Sequence, residues 1–378
     1  MVDIRQIPMG GKADDFLGVV DTVYRGDPAY IRPLDMLVKD QLNPRKNPFF
    51  QEGEGVMFCA YSGGSCVGRI TAQIDRLHLS RYNDQTGFFG FIDTIDDEAV
   101  VRELLAGAEA WLRSKGIKRV RGPISLNSKE EFGCLVEGFE HPPYLMTPHH
   151  RPYQGGLIEK AGYVKAKDVF AWKYLVGEPN ARVRRAQEEM KALPEISVRT
   201  ASFKTLQEDI NLLVDVYNDA WSENWSFVPA TAAEGRQMAS DFRLILLPEI
   251  TCIVSIDGEP AGIAIALPNL MDLVRDLRGK LLPLGFAKLL WRLKVEGPKT
   301  ARLFMLGIRK KWRHVRKYAP LSLLLYAEMN EGARRLGMKE GELGWTLEDN
   351  GPVNTAIRMM GGTQYKRYRI YEKMVVGA

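Results

Sequence analysis

Met57-Phe-Cys-Ala-Tyr-Ser-Gly-Gly-Ser-Cys-Val-Gly68-Arg-Ile-Thr-Ala-Gln73 reads as two β-rich runs joined through a Gly-Gly turn. The chain repeats the pattern as Thr251-Cys-Ile-Val-Ser-Ile-Asp-Gly-Glu-Pro-Ala-Gly262-Ile-Ala-Ile-Ala-Leu267. Farther along, 108–116 has helical spacing with a glycine stop and leads into the strand-like 117–124. Its counterpart is 329–337, leading into 342–347. A third match sets 157–162 and the strand 169–174 against 357–362 and 368–373. The anchors Gly68, Gly116 and Gly162 thus recur at Gly262, Gly337 and Gly362, offsets of 194, 221 and 200 residues. Order is kept while loop lengths drift, which predicts a duplicated unit with strand, turn, strand, helix, strand, helix, strand order. The expected class is α/β (α+β), with two domains at 1–180 and 181–378. Each is a mixed central sheet flanked by helices, and the second carries a basic, apolar helical insertion over 270–300.

Composition sets outer bounds. With 378 residues, 45% hydrophobic and 26% charged, the chain has apolar material for two cores. The stretch Met1–Ile7 has no apolar h-region, and no run approaches the roughly 18 apolar residues of a membrane span. A cytoplasmic protein is therefore expected, at most peripheral on the inner face of the membrane. Cys59, Cys66, Cys134 and Cys252 are scattered, with no CxxC, and read as reduced filler. No His and carboxylate cluster has ligand spacing, so no metal is expected, and a nuclease or metal hydrolase is disfavoured.

The net charge of +5 hides an asymmetry. Between Met271 and Tyr318 stand 14 Lys or Arg against three acids, a net of +11, so the rest of the chain carries −6. Inside that segment, Leu281–Val295 mixes Leu, Phe and Trp with Lys288, Arg292 and Lys294, the composition of a helix lying in a membrane interface. The plainer reading is a helical arm packed on its own domain with its basic residues in solvent.

The repeat resembles the GNAT superfamily of acyl-CoA N-acyltransferases over most of both halves, in a tandem, duplicated form. Ala301–Ile308 looks like the family's central strand, whose splayed end lets a backbone N–H meet the thioester carbonyl. The resemblance implies acyl-CoA as co-substrate, a primary amine as acceptor, and a donor site in the second half. The place of the pyrophosphate loop falls on 309–318, where Ile308, Arg309, Lys310, Arg313 and Arg316 are the donor-binding candidates. The family's glycine-rich stretch is missing there, so cationic side chains would replace backbone donors. In the first half, 91–98 puts acids where the phosphates would sit. An asparagine eleven residues before Gly361 matches the family's pantetheine contact and picks Asn350; it equally suits an N-cap. The family's leaving-group tyrosine would align near Ile357, so Tyr326 or Tyr318 would have to supply that acid. Glu348, at a strand end, is the candidate base.

Two further segments read as acceptor surfaces. Tyr217–Pro229 concentrates aromatics and amides, with Trp221, Asn224 and Trp225 as candidates. The long Gly- and Pro-rich excursion from Gly122 to Tyr153 offers Asn127, Glu131 and Glu137. His149 and His150, adjacent within it, read as ordinary loop residues. This loop and the Trp221-x-x-Asn224-Trp225 run are similar to bacterial GNAT-like proteins of this length, a class that the bacterial ceramide synthases resemble, which implies a sphingoid base as acceptor. Two other readings stand beside that one. One is a tRNA-dependent aminoacyl transferase, the single case in which nucleic acid would be a partner. The other is a non-catalytic, degenerate GNAT binding module.

Overall fold

The computed structural model describes residues 2–375. Its first strands are β1 (Asp3–Pro8), β2 (Gly53–Ser62), β3 (Ser65–Asp75), β4 (Thr86–Thr94), β5 (Arg119–Gly122), β6 (Cys134–Glu137) and β7 (Val164–Leu175). The remainder are β8 (Ile196–Arg199), β9 (Thr251–Ile256), β10 (Glu259–Pro268), β11 (Thr300–Ile308), β12 (Glu340–Leu347) and β13 (Thr363–Met374). Five helices bear on the site: α1 (Glu98–Ser114), α2 (Leu206–Ala220), α3 (Gly285–Trp291), α4 (Leu321–Arg335) and α5 (Gly351–Met359). The chain forms two compact units. The first holds residues up to Phe170, Val274–Gly285, and Tyr365 onward; the second holds Ala171–Leu273 and Phe286–Gln364.

The duplication is visible as β2-β3-β4-α1-β5 in the first unit and β9-β10-β11-α4-β12 in the second. Each hairpin turns on two residues of positive φ, Gly63 and Gly64 at 56° and 81°, Asp257 and Gly258 at 50° and 78°. That is the backbone a two-residue turn between right-twisted strands demands. The anchors Gly68 and Gly262 mark where the helix crosses the sheet. A Cβ on Gly68 would stand 2.9 Å from Leu104 of α1, and one on Gly262 would stand 3.3 Å from Leu325 of α4. Each copy also carries a bulge in its third strand. In β4 the register passes from Asp93 opposite Arg69 to Gly90 opposite Thr71, with Phe91 at φ 47°. In β11 it passes from Leu303 to Met305 against consecutive residues of β10, leaving Phe304 unopposed.

In the first unit the sheet runs β1-β2-β3-β4-β5-β13, with β4 and β5 parallel and β6 also pairing β13. The final strand of the chain therefore completes the sheet of the first unit, Tyr371 opposite Gly122 and Met374 opposite Arg119. Its core stacks Val100, Leu104, Ala108 and Leu112, spaced by four on one face of α1, against β2, β3 and β4. In the second unit the sheet includes the run β12-β11-β10-β9-β8, in which β11 and β12 are parallel and the other neighbours antiparallel. There Leu321, Leu324, Leu325 and Met329 of α4 close the core.

The segment between β10 and β11 replaces what is a single short helix (Arg76–Tyr82) in the first copy. Its middle part, Val274–Gly285, lies in the first unit, where the Gly279 carbonyl accepts the Asp35 N–H at 2.9 Å. Its later part forms α3 and a π-helical turn, Arg292–Glu296. Among the described residues, no helix is long and apolar enough to cross a membrane.

Candidate active site

The parallel pairing of β11 with β12 lasts only from Thr300 opposite Glu340 to Leu303 opposite Leu343. A buried pair pins this short ladder: Arg302 lies 3.3 Å from Glu342 and donates to the Gly344 carbonyl at 3.2 Å. Beyond Leu303, β11 continues to Ile308 paired with β10 alone, so its other edge faces an opening. The 15-residue helix α4 begins after it, at Leu321, with Pro320 at the cap position and no side chain capping its first N–H groups. Such an end carries orphan donors and the positive pole of the helix.

The same place in the first unit is closed. The Ile124 N–H donates to the Phe89 carbonyl at 2.7 Å, drawing the chain after β5 across β4. Gly122 and Gly90 permit this, since a Cβ on either would meet backbone oxygen at 2.4 or 2.5 Å. Asp97 caps α1, accepting from the N–H groups of Ala99 and Val100 at 2.8 and 3.3 Å. An acid at that helix end repels the anion a helix terminus otherwise attracts.

The cations read from the sequence are mostly occupied. Arg309 binds Asp215 at 2.5 Å and the Pro260 carbonyl at 3.0 Å. Lys310 donates its N–H to Asp219 at 2.7 Å and its ammonium to Glu223 at 2.7 Å. Arg313 donates to the carbonyls of Ile308 and Ala220 at 2.9 and 2.5 Å. Arg309, Lys310 and Arg313 thus clamp α2 and the loop after it to the end of β11. Arg316 is exposed and has no partner among the described residues.

This clamp brings the acceptor-loop candidates to the opening. The ring of Trp221 lies against the strand, where a Cβ on Gly307 would stand 2.5 Å away, and Tyr217 stacks on it at 5.5 Å. The Asn224 N–H donates to the Trp221 carbonyl at 2.8 Å, and Trp225 follows, half-buried. Ile308, Trp221, Asn224 and Trp225 therefore belong to one corner of the second unit.

The remaining candidates of this unit stand on other elements. Glu348 stands, half-buried, in the turn after β12. Asn350 caps α5, its side-chain oxygen accepting the Val353 N–H at 3.4 Å. Tyr326 points from mid-α4 into an apolar cavity, and burial pushes its phenol pKa well up.

Comparison with known proteins places the chain. It is 39% identical over 376 residues to the bacterial ceramide synthase of Caulobacter vibrioides, covering 98% of this chain and 97% of that one. The chain belongs to the bacterial ceramide synthase family. Protein YghO of Escherichia coli is 37% identical over 95% of this chain and 92% of its own length. No protein-family model matches. Among solved structures, a tandem GNAT protein from the clavulanic acid biosynthesis pathway superposes over 100% of both chains at 14% identity, TM-score 0.61. A GCN5-related N-acetyltransferase from Sphaerobacter thermophilus covers 100% of this chain and 96% of its own at 13% identity, TM-score 0.56. The fold of this ceramide synthase family member is the tandem GNAT fold.

Its first unit holds a buried polar network that pattern reading passed over. Arg69 on β3 bonds Asp93 on β4 at 2.7 Å and the Phe16 carbonyl at 3.0 Å, its guanidinium 5.0 Å from the Phe16 ring. Tyr24 donates to Asp93 and reaches the His149 carbonyl at 2.6 Å, and its ring stacks on Tyr30 at 3.8 Å. The His149 Nε2 meets Asp27 at 3.1 Å, and Arg151 binds the same carboxylate at 3.2 Å. Burial lowers the His149 pKa, with Asp27 opposing. His150 is not an ordinary loop residue either: its Nδ1 accepts the Leu135 N–H at 3.1 Å in the interior. Asn127 is buried in the loop between β5 and β6, where its side chain accepts the Lys129 N–H at 2.9 Å, and Glu131 acts electrostatically on Tyr30. Adjacent histidines in a Pro-rich loop carry no periodic signal, so only the long-range contacts to Asp27 and Leu135 reveal them.

Proposed function

We propose that this chain is an N-acyltransferase that moves an acyl group from acyl-CoA to a primary amine, with a lipidic amine such as a sphingoid base as acceptor at a membrane surface. The observation that carries the reading is the opening beside β11 beneath an uncapped helix end, present in the second unit and closed in the first. The thioester enters between β11 and β12, and the β11 backbone beyond Leu303 meets its carbonyl oxygen as charge develops there. The pyrophosphate lies at the first turn of α4 with Arg316 beside it, a helix terminus supplying the donors that a glycine-rich loop supplies elsewhere.

Attack forms the new C–N bond and breaks the C–S bond. Glu348 takes the proton from the attacking nitrogen, and the leaving thiolate takes one from solvent, Tyr326 lining the apolar cavity instead. Trp221, Asn224 and Trp225 line the acceptor side. The family's ceramide synthase supports the lipidic amine, as do the exposed apolar side chains Leu282, Leu284, Phe286, Trp291 and Val295 among basic residues. The tRNA-dependent reading is disfavoured because Arg309 and Lys310 are already paired with Asp215 and Glu223.

The test is release of free thiol by the purified protein offered acetyl-CoA and palmitoyl-CoA against sphinganine and a panel of small amines. Release with a lipidic amine is the expected result; silence with every pair overturns the reading.

A further inference from the structure

A cavity of the second unit lies between α4 and the sheet. Ala266, Ala301, Leu303, Gly341 and Leu343 form its sheet wall, and Tyr326, Met329 and Ala333 form its helix wall. Its free space is about 520 Å³ with the open mouth counted, and about 60 Å³ of that admits the centre of a water-sized body. A single water needs roughly 10–15 Å³ on the second measure, so the space holds roughly four to six groups of that size. The volume is there because the residues lining it are small: Ala301 and Gly341 are neighbours in the sheet wall, and a Cβ on Gly341 would meet nothing nearer than the Ala301 carbonyl beside it, at 3.7 Å.

The lining offers water almost nothing. Asn330 spends its amide on the Gly177 backbone at 2.8 and 3.4 Å, and Glu340 is paired with Lys173 at 2.6 Å. Tyr174 and Tyr326 are the polar atoms left, both phenols held neutral by burial. A water in such a place lacks the two to four partners that make it worth ordering, whereas hydrocarbon meets apolar wall throughout. The location matters as much as the lining. Leu303 and Leu343, at the cavity wall, are the last paired residues of β11 and β12, the point where the strands part and the opening begins.

We propose that this cavity receives the far end of the donor's acyl chain and so sets the chain lengths the protein accepts. The inference rests on the acyltransferase reading and adds a binding site for a saturated hydrocarbon tail, with Ala333, Ala301 and Gly341 as the residues whose smallness measures it. A short acyl group stops at the opening and gains nothing from the cavity, while a longer one gains about 0.8 kcal/mol for each methylene it buries. Over four buried carbons that is a preference on the order of a hundredfold.

The experiment compares kcat/KM for butyryl-, octanoyl- and palmitoyl-CoA in the full chain and in two variants that fill the space from opposite walls, Ala333→Leu and Gly341→Val. Circular dichroism and Tm confirm that each is folded. Binding of cis-parinaric acid, followed by its fluorescence, reports the cavity without any turnover. The expected result is a palmitoyl-to-butyryl ratio at least tenfold lower in both variants, with parinaric acid affinity falling in step. An unchanged ratio in both folded variants, or an equal loss at every chain length, overturns the inference and leaves the acyltransferase reading intact. If no acyl-CoA is turned over, the acyltransferase reading falls, and parinaric acid binding that Ala333→Leu fails to weaken then removes the cavity site as well.

Discussion

At the residue scale the strongest constraints are buried ions and buried neutral histidines. Arg69 and Asp93 satisfy each other with help from Tyr24, so deleting one partner strands a charge in the interior. Asp93→Ala should lower the unfolding free energy by about 3–5 kcal/mol, read from urea denaturation. A loss below about 1 kcal/mol would show that the network relaxes or hydrates.

His150 and His78 are both pushed down to about 4 by burial, in the case of His78 against the pull of Asp84 at 3.2 Å. In an unfolded chain each titrates near 6.5. Between those values the unfolded state binds the extra proton, so stability is full above about pH 6.5 and falls as pH drops toward 4. The slope is up to about 1.4 kcal/mol per pH unit for each histidine. Protonated His150 would also lose its acceptor role toward the Leu135 N–H. His150→Gln should therefore flatten the dependence of Tm on pH across pH 4–6.5, and an unaltered slope would assign the effect elsewhere. Nothing in the sequence distinguished these histidines from exposed ones, because burial in a loop, for His150, or in a helix of two turns, for His78, leaves no periodic trace.

Elements were far more legible. Gly68 and Gly262 stood out by position in a repeated string, and the reason proved to be the close crossing of α1 over β3 and of α4 over β10. Hairpins announced themselves through Gly63-Gly64 and Asp257-Gly258. What the string did not show is the difference between the copies at their helix ends. Asp97 was readable as an acid in an awkward place, but that Pro320 leaves α4 uncapped depends on where the helix begins. Likewise, the basic run 309–313 gave no hint that Asp215, Asp219 and Glu223 on and after α2 already hold it.

The copies suggest a test that separates folding from binding. Pro320→Asp gives α4 the cap that α1 has. The new side chain satisfies an orphan N–H and favours the helix pole, so Tm should hold or rise, by up to about 1 kcal/mol of stability. The same carboxylate would sit where the donor's pyrophosphate is proposed to bind, so KM for acyl-CoA should rise at least tenfold. A KM that does not move would remove the end of α4 from the donor site.

On the scale of the whole molecule, the chain does not close its units in sequence order. The repeat was readable, but a period-two strand such as β13 does not say which sheet it joins. In the structure Tyr371 and Val375 lie in the core of the first unit, and Lys373 binds Glu109 of α1 at 2.9 Å. Residues 1–175 alone should therefore fail to fold cooperatively in a thermal melt, and joining residues 363–378 through a flexible linker should restore the transition. A cooperative melt without them would mean β13 is dispensable.

The basic arm extends the same argument to the cell. Leu282 and Leu284 are 83% and 75% exposed and Trp291 57%, in a segment that also carries Lys288 and Lys294. Leu290, by contrast, is half-buried and Leu293 fully so, which divides an apolar run that looked uniform in the sequence into an inner and an outer face. Each outer apolar side chain entering a bilayer interface contributes up to about 1.5–3 kcal/mol. Each basic group near anionic lipid adds roughly 1 kcal/mol, and salt screens that part. The double variant Phe286→Glu with Trp291→Glu removes two apolar contacts and adds two negative charges without touching Leu293. It should sediment at least tenfold less with phosphatidylglycerol-containing vesicles while keeping its Tm. Wild-type binding should weaken as salt is raised and be weaker on neutral vesicles, where only the apolar contribution is left. Equal sedimentation of variant and wild type would confine the arm to packing, and the proposed lipidic amine would then have to reach the protein from micelles or a carrier.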